Sequence, residues 1–154
     1  MNGFQAFHTY SKEADRAIQD ADFIVTSTGE QNLGDVAQQV KAGMHNKQKK
    51  TVFLTAENGI NPAKVLRTHL QEAGVEGDYT VTQTAVFCST VSVHDTRLDI
   101  LSMNEAYFPF DADELEELDF EGAVPIHNFE KFFKRKIYTL SLIHISEPTR
   151  PEPI

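Results

Sequence analysis

Three short polar runs stand at places where a parallel sheet would bind a small molecule. Thr26-Ser27-Thr28-Gly29-Glu30-Gln31-Asn32, Ala56-Glu57-Asn58-Gly59 and Phe87-Cys88-Ser89-Thr90 each close a β-rich apolar segment. Hydroxyl, amide and carboxylate groups at the carboxyl ends of parallel strands can hold the polar parts of a ligand, beside the positive dipole ends of the helices that follow. Thr26, Thr28, Gly29, Glu57 and Asn58 are the candidate binding residues. Gly29 lacks a Cβ and lets a ligand approach the backbone, but it serves equally as a plain strand-to-helix turn. Lys134-Arg135-Lys136 is a tight cationic run, and on composition it is an exposed basic helix face. His94-Asp95 has no second ligand at metal-binding spacing and reads as loop polarity, so no metal is expected. Cys88 has no helical histidine placed to activate it and reads as a small strand-end residue. Asp111, Asp113, Glu114, Glu116, Glu117, Asp119 and Glu121 form an acidic stretch whose spacing suits a solvated helix start or loop.

Composition excludes several roles. A net charge of −9 lacks the basic face that a nucleic-acid backbone requires. No apolar run approaches the ~20 residues of a membrane-spanning helix, and the first residues lack the basic start and apolar core of a signal peptide. A single cysteine forbids an internal disulfide and fits a reducing, cytoplasmic setting. With 40% apolar and 24% charged residues, the 154-residue chain has the balance of a globular domain with a sizeable core.

The elements that position the polar runs alternate. A helix is expected over residues 13–21, a strand over 22–28 closing on Gly29, and a helix over 32–42 stopped by Gly43. A strand follows at Thr51–Thr55. Asn61-Pro62 has the form of an N-cap with proline in the first turn, opening a helix to Gly74 with Val65, Leu66 and Leu70 inward. Residues 80–88 are the third strand, and residues 98–102 and 107–110 are weaker strands suited to an antiparallel extension. Strand, helix, strand, helix, strand is the signature of an α/β fold with a parallel sheet and right-handed crossovers. Residues 123–128 read as a proline-containing turn before Asn128, the expected cap of an amphipathic helix carrying Phe129, Phe132, Phe133 and Ile137 on one face. No element left in the sequence covers that face, so it implies a missing partner domain.

Residues 21–29, the Ala56-Glu57-Asn58 turn, the strand ending at Phe87, Asp119-Phe120-Glu121-Gly122 and the helix ending at residues 134–140 resemble, in order, the long-chain polyol dehydrogenases. This family includes mannitol-1-phosphate 5-dehydrogenase, mannitol dehydrogenase and the altronate and fructuronate oxidoreductases. The resemblance spans roughly residues 14–140, about the middle third of a member. It implies the later half of a Rossmann domain at residues 1–124 and the start of a helical substrate domain at 125–140. It also implies hydride transfer between a polyol or polyol phosphate and NAD, with NADP possible, and it places Thr26, Thr28, Gly29, Glu57 and Asn58 at the cofactor. Lys136 matches the lysine of the family's Lys-x4-Asn-x2-His motif, and the resemblance makes it the base that takes the hydroxyl proton. Burial or the neighbouring Lys134 and Arg135 would have to lower its pKa.

The chain departs from the family at stated places. No Gly-x-Gly-x-x-Gly occurs, Ser141 stands where the motif has asparagine, and Phe87-Cys88-Ser89 and Val91-Ser92-Val93 replace segments found in some members. Residues 141–154 resemble a translated sequencing-library adapter from Leu140 to Arg150, so His144 at the motif's histidine spacing is read as coincidence; a natural Pro-rich tail is the alternative origin. These features lead to the expectation of a fragment at both ends. The alternative is a complete, small, non-catalytic α/β module that binds a nucleotide or phosphate.

Overall fold

The computed structural model describes residues 5–86, 90–92, 100–102 and 107–145. Three parallel strands, β1 (Phe23–Thr26), β2 (Thr51–Thr55) and β3 (Tyr79–Gln83), form a sheet in the order β1-β2-β3. Phe23 pairs with Val52 and Thr26 with Thr55; Thr51 pairs with Tyr79 and Thr55 with Gln83. Helices α2 (Leu33–Met44) and α3 (Pro62–Glu72) supply the two crossovers, and α1 (Lys12–Asp20) precedes β1 and packs on α2. Their apolar faces close one core, in which Leu33, Ala37, Val40, Met44, Phe53, Leu66, Leu70 and Val81 are buried and Ile18 and Ile24 pack at the margin. The chain has the α/β, Rossmann-like architecture expected from its strand and helix alternation.

Local chemistry explains most element boundaries. The Ser11 hydroxyl caps α1 by accepting the Ala14 N–H, and the Asn61 side chain caps α3 by accepting the Lys64 N–H at 3.1 Å, with Pro62 in the first turn. The expected stop of α2 at Gly43 is overturned, because the helix continues through it to Met44. A Cβ at Gly43 would lie 2.6 Å from the Asp15 carbonyl oxygen and from Ile18, so the glycine is where α1 crosses α2 closely. Strand β1 is shorter than expected, leaving Thr28 and Gly29 in the following turn. Strand β3 ends at Gln83, and Thr84 forms an isolated antiparallel bridge to Phe110.

The second half differs more from expectation. Strands β4 (Thr90–Ser92) and β5 (Ile100–Ser102) pair antiparallel, whereas β6 (Phe108–Asp111) pairs parallel with β7 (Ala123–Ile126). The proline turn read at residues 123–128 is therefore largely a strand. Pro125 is tolerated because a short strand with one partner loses little from a missing N–H. The Thr82 and Thr84 hydroxyls fasten β6 beside β3 by donating to the Asp111 and Pro109 carbonyls at 3.0 and 2.8 Å. Leu54, Phe110 and Leu118 make a second core on that side of the sheet.

Helix α4 (Phe129–Ile145) runs five residues past the expected limit at Leu140. The expectation that its phenylalanines lack a cover is also overturned. Phe129 and Phe133 are buried in a cluster with Ala85, with Ile126 and Phe132 at its edge. The Phe129 and Phe133 rings stack at 6.3 Å. Among the described residues no helix is long and apolar enough to cross a membrane.

Candidate functional site

The parallel sheet brings the two expected turns to one edge, and a buried carboxylate joins them. Glu57 follows β2 and accepts the backbone N–H of Thr28 at 2.9 Å on Oε1 and that of Gly29 at 2.8 Å on Oε2. The Thr28 hydroxyl lies 3.5 Å from Oε1. Glu57 is only 4% exposed. Gly29 has φ +90°, a conformation that a side chain would strain, so the turn itself requires glycine. Asn32 reinforces the turn by donating its side-chain N–H to the Thr28 carbonyl at 2.6 Å.

These groups wall a cleft of about 370 Å³ lined by Ser27, Gly29, Glu30, Gln31, Ala56, Glu57, Asn58 and Gly59. A Cβ at Gly59 would collide with the Glu30 carboxylate, so that glycine allows the two turns to close on each other. Of the expected binding residues, Gly29, Glu57 and Asn58 line the cleft, and Thr28 stands at its wall through Glu57. Thr26 is buried at the end of β1, and its hydroxyl has no hydrogen-bond partner among the described residues. Phe87, Cys88, Ser89, His94 and Asp95 lie outside the described residues.

Lys136 reaches the same sheet edge from α4. Its amine donates to the Val86 carbonyl at 2.7 Å, just beyond β3, and lies 5.3 Å from the centre of the Phe133 ring. Burial lowers its pKa from the usual lysine value. Lys134 behaves oppositely. It pairs with Glu130 one helical turn away, and that hydrogen bond followed by the attraction of the same carboxylate raises its pKa. The expectation that Lys134 and Arg135 help to lower the Lys136 pKa is replaced by burial against the cluster of Phe133 and Ala85. Lys136 is not a lining residue of the 370 Å³ cleft. Between the two, Ile60, Glu130, Phe133, Lys134 and Tyr138 line a slot of about 210 Å³, linking the β2–α3 loop to α4.

The start of α4 is held by a contact that sequence reasoning missed. The Asp113 carboxylate accepts the Asn128 N–H at 2.9 Å and pairs with His127 Nδ1 at 2.8 Å. The His127 hydrogen bond, then the Asn128 N–H, keeps the Asp113 pKa below its usual value. Asn128 takes φ +55°, which asparagine tolerates better than most residues, and its carbonyl accepts from Lys131 and Phe132. The only sequence signal for this anchor is an asparagine before an amphipathic run. Among the described residues no group of three or more His, Cys, Asp or Glu is placed to hold a metal ion.

The fold is similar to that of a UDP-glucose dehydrogenase from the hyperthermophilic archaeon Pyrobaculum islandicum, with a TM-score of 0.55 and 9% sequence identity. The similarity covers 86% of this chain and 34% of that one. No protein-family model and no curated protein matches the sequence. At this identity the likeness establishes the fold, and the present chain corresponds to about a third of the neighbour's length.

Proposed function

We propose that the chain is part of an NAD(P)-dependent oxidoreductase that moves hydride between a nicotinamide and a polyol or polyol phosphate, in the manner of the mannitol-1-phosphate 5-dehydrogenases it resembles. The observation that carries this reading is the placement of Lys136: a half-buried amine of lowered pKa, held on the Val86 carbonyl at the edge of a parallel sheet where two polar turns converge. The dehydrogenase named as structural neighbour supports the same direction.

The polar lining of the cleft supports its use for a ribose or base of a dinucleotide and not for the phosphates. Asn58, Gln31 and Ser27 offer amide and hydroxyl groups, while the turn's N–H groups are already bound to Glu57. When bound, a nicotinamide supplies the hydride acceptor. Lys136 in its neutral form takes the hydroxyl proton at Nζ as the carbinol carbon loses hydride, and becomes the ammonium. The low-dielectric cluster around Phe133 favours the neutral amine that this step needs.

Topology supports reading the chain as a fragment. Helix α1 packs on α2, and Ile18 joins the core that α2 and α3 share. With all three helices on one face, the right-handed crossover rule puts a strand preceding α1 on the open side of β1. Phe23 and Val25, on the sheet face away from the helices, are 42% and 55% exposed beside that open side. The 154-residue chain is therefore expected to show no polyol-dependent reduction of NAD or NADP. A longer reading frame that restores a strand and Gly-x-Gly-x-x-Gly upstream should show it. Absence of activity from that longer protein, with polyols and polyol phosphates both assayed, would overturn the proposal.

A further inference from the structure

The β1–α2 turn has the N–H geometry that holds an anion, and the anion it holds is part of the chain. Two successive N–H groups meet the two oxygens of one carboxylate, Thr28 on Oε1 and Gly29 on Oε2. Hydrogen bonds of this kind to an ionised group are strong because the charge assists them. Glu57 is only 4% exposed although it lines the cleft, so little of it is open to competing water. A second carboxylate, that of Glu30, lies against Gly59 on the wall of the same cleft.

We propose that Glu57 is a specificity-determining residue: as an internal anion it fills the turn, excludes phosphate from it, and reserves the cleft for a neutral, hydroxyl- or amide-bearing part of the ligand. This rests on the reading of this edge as the ligand-binding edge. A phosphate in this cleft would displace Glu57 or sit beside two carboxylates, and like charges so placed weaken binding steeply. Uncharged hydroxyl and amide groups carry no such penalty and meet partners in Ser27, Gln31 and Asn58.

The test is an amide-resolved NMR titration of the 154-residue chain with inorganic phosphate, comparing wild type, Glu57→Gln and Glu57→Ala. The wild-type Thr28 and Gly29 amides should stay in place. In Glu57→Gln, which keeps the side chain's shape and one acceptor oxygen, phosphate should bind at least ~10-fold more tightly, with the largest displacements at those two amides. Glu57→Ala should do the same wherever its spectrum retains the wild-type dispersion. Saturable displacement of Thr28 and Gly29 in wild type would overturn the proposal and favour a phosphate-binding module. Absence of any gain in a folded Glu57→Gln would overturn it as well. Failure of hydride transfer in the longer protein is read from a different assay, so the two conclusions fail separately.

Discussion

Lys136 and Lys134 lie two residues apart on one helix, and their surroundings push them in opposite directions. Burial makes the folded chain bind the Lys136 proton more weakly than the unfolded chain does. Stability should therefore rise with pH between the lowered folded value and the ordinary 10.5. Lys136→Met should flatten that rise, as read from urea unfolding at several alkaline pH values, leaving the part contributed by Lys47, whose pKa burial also lowers. In the longer protein Lys136→Ala should reduce turnover by ~10²–10⁴-fold with cofactor affinity nearly unchanged. Lys134→Ala, which removes only an exposed pair with Glu130, should stay close to wild type. Equal effects of the two substitutions would mean that Lys136 is an ordinary member of a basic helix face. At this scale the sequence shows which residues share the edge, because a parallel sheet must bring Thr28-Gly29 and Glu57-Asn58 to the same end. It does not show that Glu57 grips the turn, since the partners are 28 and 29 residues apart and no periodicity links them.

Elements whose signals are local were legible. The Asn61-Pro62 start of α3 and the three apolar runs of the sheet depend on capping and β propensity within a few residues. Elements defined by distant contacts were not. Gly43 reads as a stop in one dimension but is a crossing point of α1 and α2, and Pro125 hides a strand because proline usually disfavours one. The glycines of α2 give a matched test. Gly43→Ala must push its methyl into Asp15 and Ile18 and should cost about 1–3 kcal/mol. At Gly34 the nearest atom to an added methyl is in the His69 ring at 3.7 Å, so Gly34→Ala should stabilise by about 0.5–1 kcal/mol through helix propensity. Lys47 gives a second test. Its amine donates to the carbonyls of Ile18, Gln19 and Ala21 at 3.0, 2.6 and 2.6 Å, tying the end of α1 to the α2–β2 loop. Lys47→Met strips all three acceptors of their donor and should lower unfolding free energy by roughly 2–3 kcal/mol. An unchanged urea midpoint would show that water replaces the ammonium without loss.

For the molecule as a whole, the unfinished surface is the outer edge of β1 rather than the phenylalanine helix. Phe129 and Phe133 find their cover within the chain, on Ala85. Phe23-Ile24-Val25 has the unbroken apolar character of a strand covered on both faces, yet only the Ile24 side meets the helices. Phe23 meets the Phe120 ring edge-on, with ring centroids 6.3 Å apart, and is still 42% exposed. An apolar edge strand is a template for association, so the 154-residue chain should self-associate as its concentration rises. Val25→Lys places a charge on that edge at a position already 55% exposed. In this chain it should shift sedimentation toward monomer while moving stability by no more than about 0.5 kcal/mol. In the longer protein, where the proposed upstream strand pairs with β1 and flanks Val25 on the same face, the same substitution should cost about 1 kcal/mol through lost cross-strand apolar contact. A small effect in both contexts would mean that no strand covers β1, and the fragment reading would fall on stability measurements alone.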